Sequence, residues 1–234
     1  MTPTDLYEIC TIICTMDVPM PTTFSMSRPF KLMMAGLFCL LSTPGWLLAG
    51  QLVGDTTPKL QGQELINALK QGGYVMYFRH GLTSKTGEKD VDAKDMSNCA
   101  IQRNLSEEGQ AQTKAIGTAV AKHQIPAGDV YSSPYCRCID TATNIFGKAE
   151  KSDVLHFAIH VQKAERETLT ATLLDMLATS PRAGTNTAMV SHTANLKEAV
   201  GIWPKVEGEA HIFKPEGNGK FSYVGMLGPD EWGQ

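Results

Sequence analysis

No surplus of basic residues is present to bind nucleic acid: 21 Lys and Arg stand against 24 Asp and Glu, a formal net charge of −3. No block of like charges marks a disordered tail, no segment repeats at a fixed period, and no low-complexity stretch separates domains. The cysteines match no zinc-ligand spacing. What remains is 234 residues, 42% hydrophobic and 19% charged. That is enough for one globular domain with a well-buried core, or two small ones. Any positive charge that matters for function must therefore be local.

The N-terminal region does not read as part of the fold. From Met26 the sequence is MSRPFKLMMAGLFCLLSTPGWLLAGQ. Arg28 and Lys31 supply a positive start, Leu32 to Leu41 an apolar core, Pro44 and Gly45 a break, and Ala49 and Gly50 small residues. This is the layout of a secretory signal peptide cleaved near Gly50. Ser42, Thr43, Pro44 and Gly45 interrupt what would otherwise approach spanning length, which argues against an anchor. The product is expected to be periplasmic or secreted, with no stable membrane span after cleavage. No Cys follows Gly50 to carry a lipid. Asp5, Glu8 and Asp17 are acidic where export signals are positive. Residues 1–25 are therefore read as a non-native upstream extension, 26–50 as the signal and 51–234 as the folded domain. After processing, Cys99, Cys136 and Cys138 remain. In an oxidising compartment one disulfide is expected, from Cys99 to Cys136 or Cys138, with Cys99–Cys136 as the working pair. Three reduced thiols packed as small apolar groups are the competing picture.

Within 51–234, Tyr74 to Phe78 is a continuous apolar run, suited to a strand covered on both faces. Gln63 to Leu69 reads as a short helix before it, stopped by Gly72-Gly73. Thr83 to Asn98 is polar and without period, hence a loop. Ser106 is a candidate N-cap, with Glu107 and Glu108 behind it, for a helix to about His123. Asp129 to Ser132 is a second strand, Pro134 to Phe146 a helix, Val154 to Val161 a third strand and Glu165 to Leu177 a helix. Thr187 to Val190 is a fourth strand, and a hairpin follows around Gly217-Asn218-Gly219. Strands alternating with helices indicate an α/β sandwich with a mostly parallel sheet, whose site lies at the C-terminal strand ends.

Reactive residues gather at three of those ends. They are Arg79-His80-Gly81, Ser132-Ser133-Pro134-Tyr135-Cys136-Arg137 and Ser191-His192-Thr193-Ala194-Asn195. Arg79 and Arg137 offer planar forks of donors matched to phosphate oxygens. His80 is a candidate nucleophile as a neutral imidazole, and His192 a donor to an equatorial phosphate oxygen. Gly81, where the backbone can approach closely, Thr83 and Asn195 are the candidate substrate contacts. Glu165, or alternatively Glu167, is the candidate acid for the leaving oxygen, by its place after the third strand. No metal or other cofactor is called for. His156 and His160, four apart, would share a face only on a helix, and are taken as ordinary polar positions of a strand.

These pieces, with Asn104-Leu105-Ser106-Glu107-Glu108-Gly109-Gln110-Ala111 and Asp140-Thr141-Ala142, resemble the histidine phosphatase superfamily. The resemblance is to the branch that includes cofactor-dependent phosphoglycerate mutases and small phosphohistidine phosphatases. It spans nearly all of residues 60–226. It implies a phosphoglycerate mutase-like three-layer α/β/α fold, a covalent phosphate on His80, and Arg79, Arg137 and His192 as the phosphate pocket. The segment after the third strand lacks the Gly-rich, Trp-containing context of the mutases, which argues against mutase activity. The layout resembles exported bacterial members, which include lipopolysaccharide heptose-phosphate phosphatases. The expected partner is thus a small phosphorylated substrate, such as a sugar phosphate or a lipopolysaccharide phosphate. Two alternatives stand beside an exported phosphomonoesterase: a phosphohistidine-protein phosphatase, and a catalytically weak binder of phosphorylated ligands.

Overall fold

In a computed structural model that describes residues 55–85, 90 and 95–233, the apolar run before His80 forms the strand β1 (Val75–Arg79), buried except at its last residue. The expected upstream extension and signal, 1–25 and 26–50, lie outside the described residues. The other strands are β2 (Ala127–Ser132), β3 (Glu150–Lys151), β4 (Asn186–Ser191), β5 (Ala210–Gly217) and β6 (Lys220–Leu227). They join β1 in one sheet of order β3-β2-β4-β1-β5-β6. β3, β2, β4 and β1 are parallel neighbours, while β5 runs against both β1 and β6. The sheet is thus mixed and mostly parallel, with its reversed strand on the C-terminal side of β1.

Two layers of helix cover the sheet. On one face, α1 (Gly62–Leu69), α2 (Glu107–Lys122) and α3 (Cys136–Phe146) pack Leu65, Ile116 and Ile145 against Met76, Phe78, Val130 and Val190. On the other, α4 (Lys163–Ala178) and α5 (Thr193–Val200) pack Leu173, Leu177 and Leu196 against Val75, Tyr77 and Met189. Alternate residues of β1 feed opposite cores, which is why its sequence is apolar throughout rather than alternating. The architecture is α/β, three layers deep. Among the described residues no helix is long and apolar enough to cross a membrane.

Local signals place the helices. Ser106 Oγ accepts from Gly109 N at 3.1 Å, capping α2. Gly109 lies so close to the chain leaving β1 that a Cβ there would sit 1.9 Å from the Leu82 carbonyl oxygen. α2 is thereby pressed against the loop that follows His80. Cys99 and Cys136 form a disulfide across a separation of 37 residues, and Cys138 is a buried free thiol. On the chain-entropy picture, closing a loop of this size contributes about 4 kcal/mol. It ties the 99–101 turn to the first residue of α3, one position before Arg137.

The segment expected as a third strand is not one. Val154 to Val161 contains two short 3-10 turns, Asp153–Leu155 and Ala158–His160, and the strand beside β2 is the two-residue β3. Side chains, not a ladder, satisfy the segment's backbone: Ser191 Oγ donates to the Leu155 carbonyl at 2.8 Å and Asn195 Nδ2 to that of His156 at 2.7 Å. Asn195 Oδ1 accepts from Ala158 N at 3.2 Å. Asn195, read from the sequence as a substrate contact, is thus 3% exposed and fastens this segment instead.

Candidate active site

Strand register brings the reactive residues together. Arg79 lies opposite Ser191 on neighbouring strands, and Ser132 opposite Val190. His80, Ser133 and His192, the next residues of the three strands, therefore emerge at one edge. His80 N donates to the Ser191 carbonyl and Ser133 N to that of Val190, extending the pairing into the site. The His80 and His192 rings lie 5.5 Å apart, and both are buried.

Each ring has an assigned tautomer. His80 Nδ1 lies 2.9 Å from the Gly81 carbonyl oxygen, which can only accept. The proton therefore sits on Nδ1, and the Nε2 lone pair is left for attack. His192 Nδ1 faces Arg137 Nη2 at 3.4 Å, which can only donate. Its proton then sits on Nε2, 2.9 Å from Ser133 Oγ. Phe157 stacks on the His192 ring at 4.4 Å, and Tyr135 meets it edge-on at 4.9 Å. Tyr135 Oη is also 2.7 Å from His160 Nδ1, and the His156 ring stands 5.2 Å from the Tyr135 ring. His156 and His160 thus surround Tyr135 from 3-10 turns, not from a strand.

Burial, followed by the charge of Arg137, holds His80 well below the ordinary histidine value of 6.5, and the same two causes act on His192. Both rings are neutral in the fold, while the unfolded chain takes up their protons near pH 6.5. Their contribution to stability is complete above that value and is lost as pH falls below it. The melting temperature should drop on acidification below about pH 6.5, and His80→Asn should make the drop shallower. A profile that is flat, or identical in the variant, would contradict this assignment.

Three guanidinium groups surround the histidines. Arg137 is fully buried, with its Cζ 4.5 Å from the Tyr135 ring centroid. Its Nη1 donates to Asp90 Oδ1 at 2.7 Å and to the Arg103 carbonyl at 3.2 Å. Arg79 Nη1 donates to the Lys205 carbonyl at 2.8 Å, and its Nη2 pairs with Glu207 at 3.3 Å. Arg103 Nη2 reaches Glu207 at 4.0 Å. The Nε of each of these arginines is buried with no hydrogen-bond partner among the described residues. A buried N–H without an acceptor is unfavourable by roughly 1–3 kcal/mol, more when charged. Three such donors around one histidine make a pocket for an anion with several oxygens.

Glu207 and Arg103 were not picked out from the sequence. Glu207 is in the pocket because β5 runs antiparallel to β1, so the loop entering β5 meets the C-terminal end of β1. Gly208 N accordingly donates to the His80 carbonyl at 2.9 Å. Glu209 organises this loop by accepting from Lys205 N, Val206 N and His211 Nε2. Burial works to raise Glu209, and these hydrogen bonds outweigh it, leaving it below the usual carboxylate range. No local periodicity signals such a placement. Arg103 had one available cue, since it directly precedes the Asn104-Leu105-Ser106 motif.

Three expected roles change. Glu165 and Glu167 are exposed on α4, Glu167 pairing with Lys163 at 3.7 Å, and the structure does not bring them to His80. Without a third strand ending at the site, the start of α4 is not delivered there. Thr83 gives its Oγ1 and N to Glu207 at 2.8 and 3.1 Å, so it positions that carboxylate. Gly81 N donates to Thr141 Oγ1 at 2.9 Å, and a Cβ on Gly81 would lie 2.4 Å from Thr113 Cγ2. Helix packing, rather than close approach of a phosphate, requires glycine there. Among the described residues no three His, Cys, Asp or Glu side chains group as metal ligands.

Residues 75–158 match the family model of the Histidine phosphatase superfamily (branch 1). No curated protein matches the sequence. Similar solved structures include the protein histidine phosphatase SixA complexed with tungstate, at 15% identity over 67% of this chain and 97% of that chain, with a TM-score of 0.48. A mycobacterial glucosyl-3-phosphoglycerate phosphatase is similar at 15% identity over 65% of this chain and 96% of that one, TM-score 0.45. The ecdysone phosphate phosphatase of Bombix mori, complexed with tungstate, is similar at 14% identity over 67% and 92%, TM-score 0.45.

Proposed function

We propose that this chain, whose residues 75–158 match the Histidine phosphatase superfamily (branch 1), is a phosphatase that hydrolyses phosphate monoesters through a phosphohistidine on His80 Nε2. The observation that carries this reading is the trio of buried, unpartnered Nε–H groups on Arg79, Arg103 and Arg137 beside a histidine whose Nε2 is free. A phosphate placed among them meets donors on its equatorial oxygens while the nucleophile approaches in line. In the first step the Nε2–P bond forms, the ester P–O bond breaks, and the departing oxygen takes a proton. Water then attacks phosphorus, the N–P bond breaks, and orthophosphate leaves with release of the water's proton. Positioning and charge stabilisation by the arginines supply most of the rate.

The reaction is read as metal-independent, since cationic side chains already occupy the role a metal would fill. The working compartment is read as periplasmic or extracellular, supported by the 26–50 signal pattern and by the Cys99–Cys136 disulfide. A small ester such as a sugar phosphate or a lipopolysaccharide phosphate is the favoured substrate, by resemblance to exported members. The exposure of Glu165 and Glu167 favours a second reading, phosphohistidine in a protein, because an imidazole leaving group needs little acid help.

The test is phosphate release by purified protein from 4-nitrophenyl phosphate, sugar phosphates and phosphohistidine, with EDTA present throughout. Release should persist in EDTA, and rapid alkaline quench should trap a phosphoenzyme that then decays on acidification. Dependence on a divalent ion, or a phosphoenzyme stable to acid, would reject the mechanism.

A further inference from the structure

An alkoxide leaving phosphorus needs a proton, and Glu165 and Glu167 are exposed on α4. Among the described residues, two carboxylates pair with the arginine cluster: Glu207 and Asp90. Glu207 has both oxygens engaged. Oε1 accepts from Thr83 Oγ1 at 2.8 Å and pairs with Arg79, while Oε2 accepts from Thr83 N at 3.1 Å. That arrangement holds Arg79 and Thr83 in place.

Among the described residues, Asp90 is engaged on one side only. Its Oδ1 accepts from Arg137 Nη1 at 2.7 Å and from Arg103 N at 3.0 Å, and Oδ2 takes part in neither contact. The carboxylate side chain is 10% exposed and its partner Arg137 fully buried. Arg137 therefore presents two different edges. Nη1 holds Asp90, whereas Nε is unpartnered and Nη2 leans on His192 only at 3.4 Å. A phosphate oxygen bound on the Nε–Nη2 edge leaves the Asp90 contact intact. One guanidinium then holds the phosphate and a carboxyl group side by side.

On the phosphatase reading above, we propose that Asp90 is the carboxyl group that protonates the departing ester oxygen. The phosphate of the bound ester brings further negative charge beside the Asp90 carboxylate, which takes up a proton from water as the ester binds; as the His80 Nε2–P bond forms and the P–O bond breaks, that proton passes to the leaving oxygen and an alcohol departs. The resulting carboxylate takes a proton from the water that attacks the phosphohistidine. The N–P bond then breaks, orthophosphate leaves, and Asp90 returns its proton to water and its charge to Arg137. General acid–base help of this kind is worth about 10²–10⁴-fold, and less for leaving groups that depart readily as anions.

The experiment compares single-turnover phosphoenzyme formation by the full chain and by Asp90→Asn. The substrates are glycerol phosphate, whose alkoxide is a poor leaving group, and 4-nitrophenyl phosphate, whose phenolate is a good one. Asp90→Asn should slow the alkyl ester at least about 100-fold more than the aryl ester, and Asp90→Glu should recover part of the alkyl rate. Melting temperature and orthophosphate binding of both variants establish that the pocket remains folded. Equal losses on the two esters would assign Asp90 to supporting Arg137 and overturn the acid role, as would no loss on either. A wild-type chain silent toward both esters would instead overturn the phosphatase reading itself.

Discussion

Replacing His80 with asparagine is expected to reduce phosphate release by about 10³-fold or more, with no phosphoenzyme trapped after alkaline quench. The asparagine amide can still donate toward the Gly81 carbonyl, which His80 Nδ1 meets at 2.9 Å, so the loop after β1 keeps its anchor. It has no lone pair to replace Nε2, and the covalent step is lost. Binding should survive, because the donors for phosphate belong to Arg79, Arg103 and Arg137. Orthophosphate or tungstate titrated into His80→Asn should raise its melting temperature about as much as that of the parent chain. Turnover persisting in this variant, or loss of anion binding along with turnover, would show that His80 is not the attacking group.

The second large effect is expected at Arg137. Arg137→Ala removes a fully buried cation that Asp90, His192 and the Tyr135 ring all face. Asp90 is then left as a buried carboxylate without its partner, a loss of about 3–5 kcal/mol in comparable buried pairs. This variant should melt well below the parent and is a poor probe of chemistry. Arg137→Lys is the sharper one. An ammonium can keep the charge near Asp90, but it is a point donor and cannot also present the Nε–Nη2 edge. Stability should fall modestly while kcat/KM falls about 100-fold or more, the range found when one transition-state donor is removed. Steady-state kinetics beside thermal melts on the same preparations check both halves. A lysine variant of near-parental kcat/KM would place the phosphate elsewhere.

Asp90 and Glu207 show how charge is managed in this pocket. Arg79, Arg103 and Arg137 are brought together at one sheet edge, and the chain supplies one carboxylate to each side of the cluster. The two carboxylates offset repulsion among the guanidinium groups without occupying every donor. Among the described residues each arginine keeps its Nε–H unclaimed. The site is thereby held together before substrate arrives, which lowers the reorganisation needed at the moment of reaction.

Local physics made much of this legible from sequence. The unbroken apolar run of β1 follows from burial on both faces, and Ser106 with two glutamates begins α2 by a contact three residues long. Three motifs each followed a strand, so parallel pairing alone was enough to bring Arg79, His80, Arg137 and His192 to one edge. Other features depend on which distant segment becomes a neighbour. Val154 to Val161 has the composition of a strand, yet Ser191 and Asn195 satisfy its backbone and it forms turns instead. That exchange turned Asn195 from a candidate substrate contact into a fastener, and left Glu165 and Glu167 exposed on α4. Glu207 enters the pocket only because β5 reverses beside β1, and Asp90 only because its carboxylate pairs with the buried Arg137, 47 residues away. By itself, then, the sequence determined the α/β alternation and the convergence of two histidines and two arginines, because those follow from short-range periodicity and strand direction. Which carboxylates join them was decided by tertiary structure, because long-range pairing and the need to neutralise buried charge leave no periodic trace in the chain.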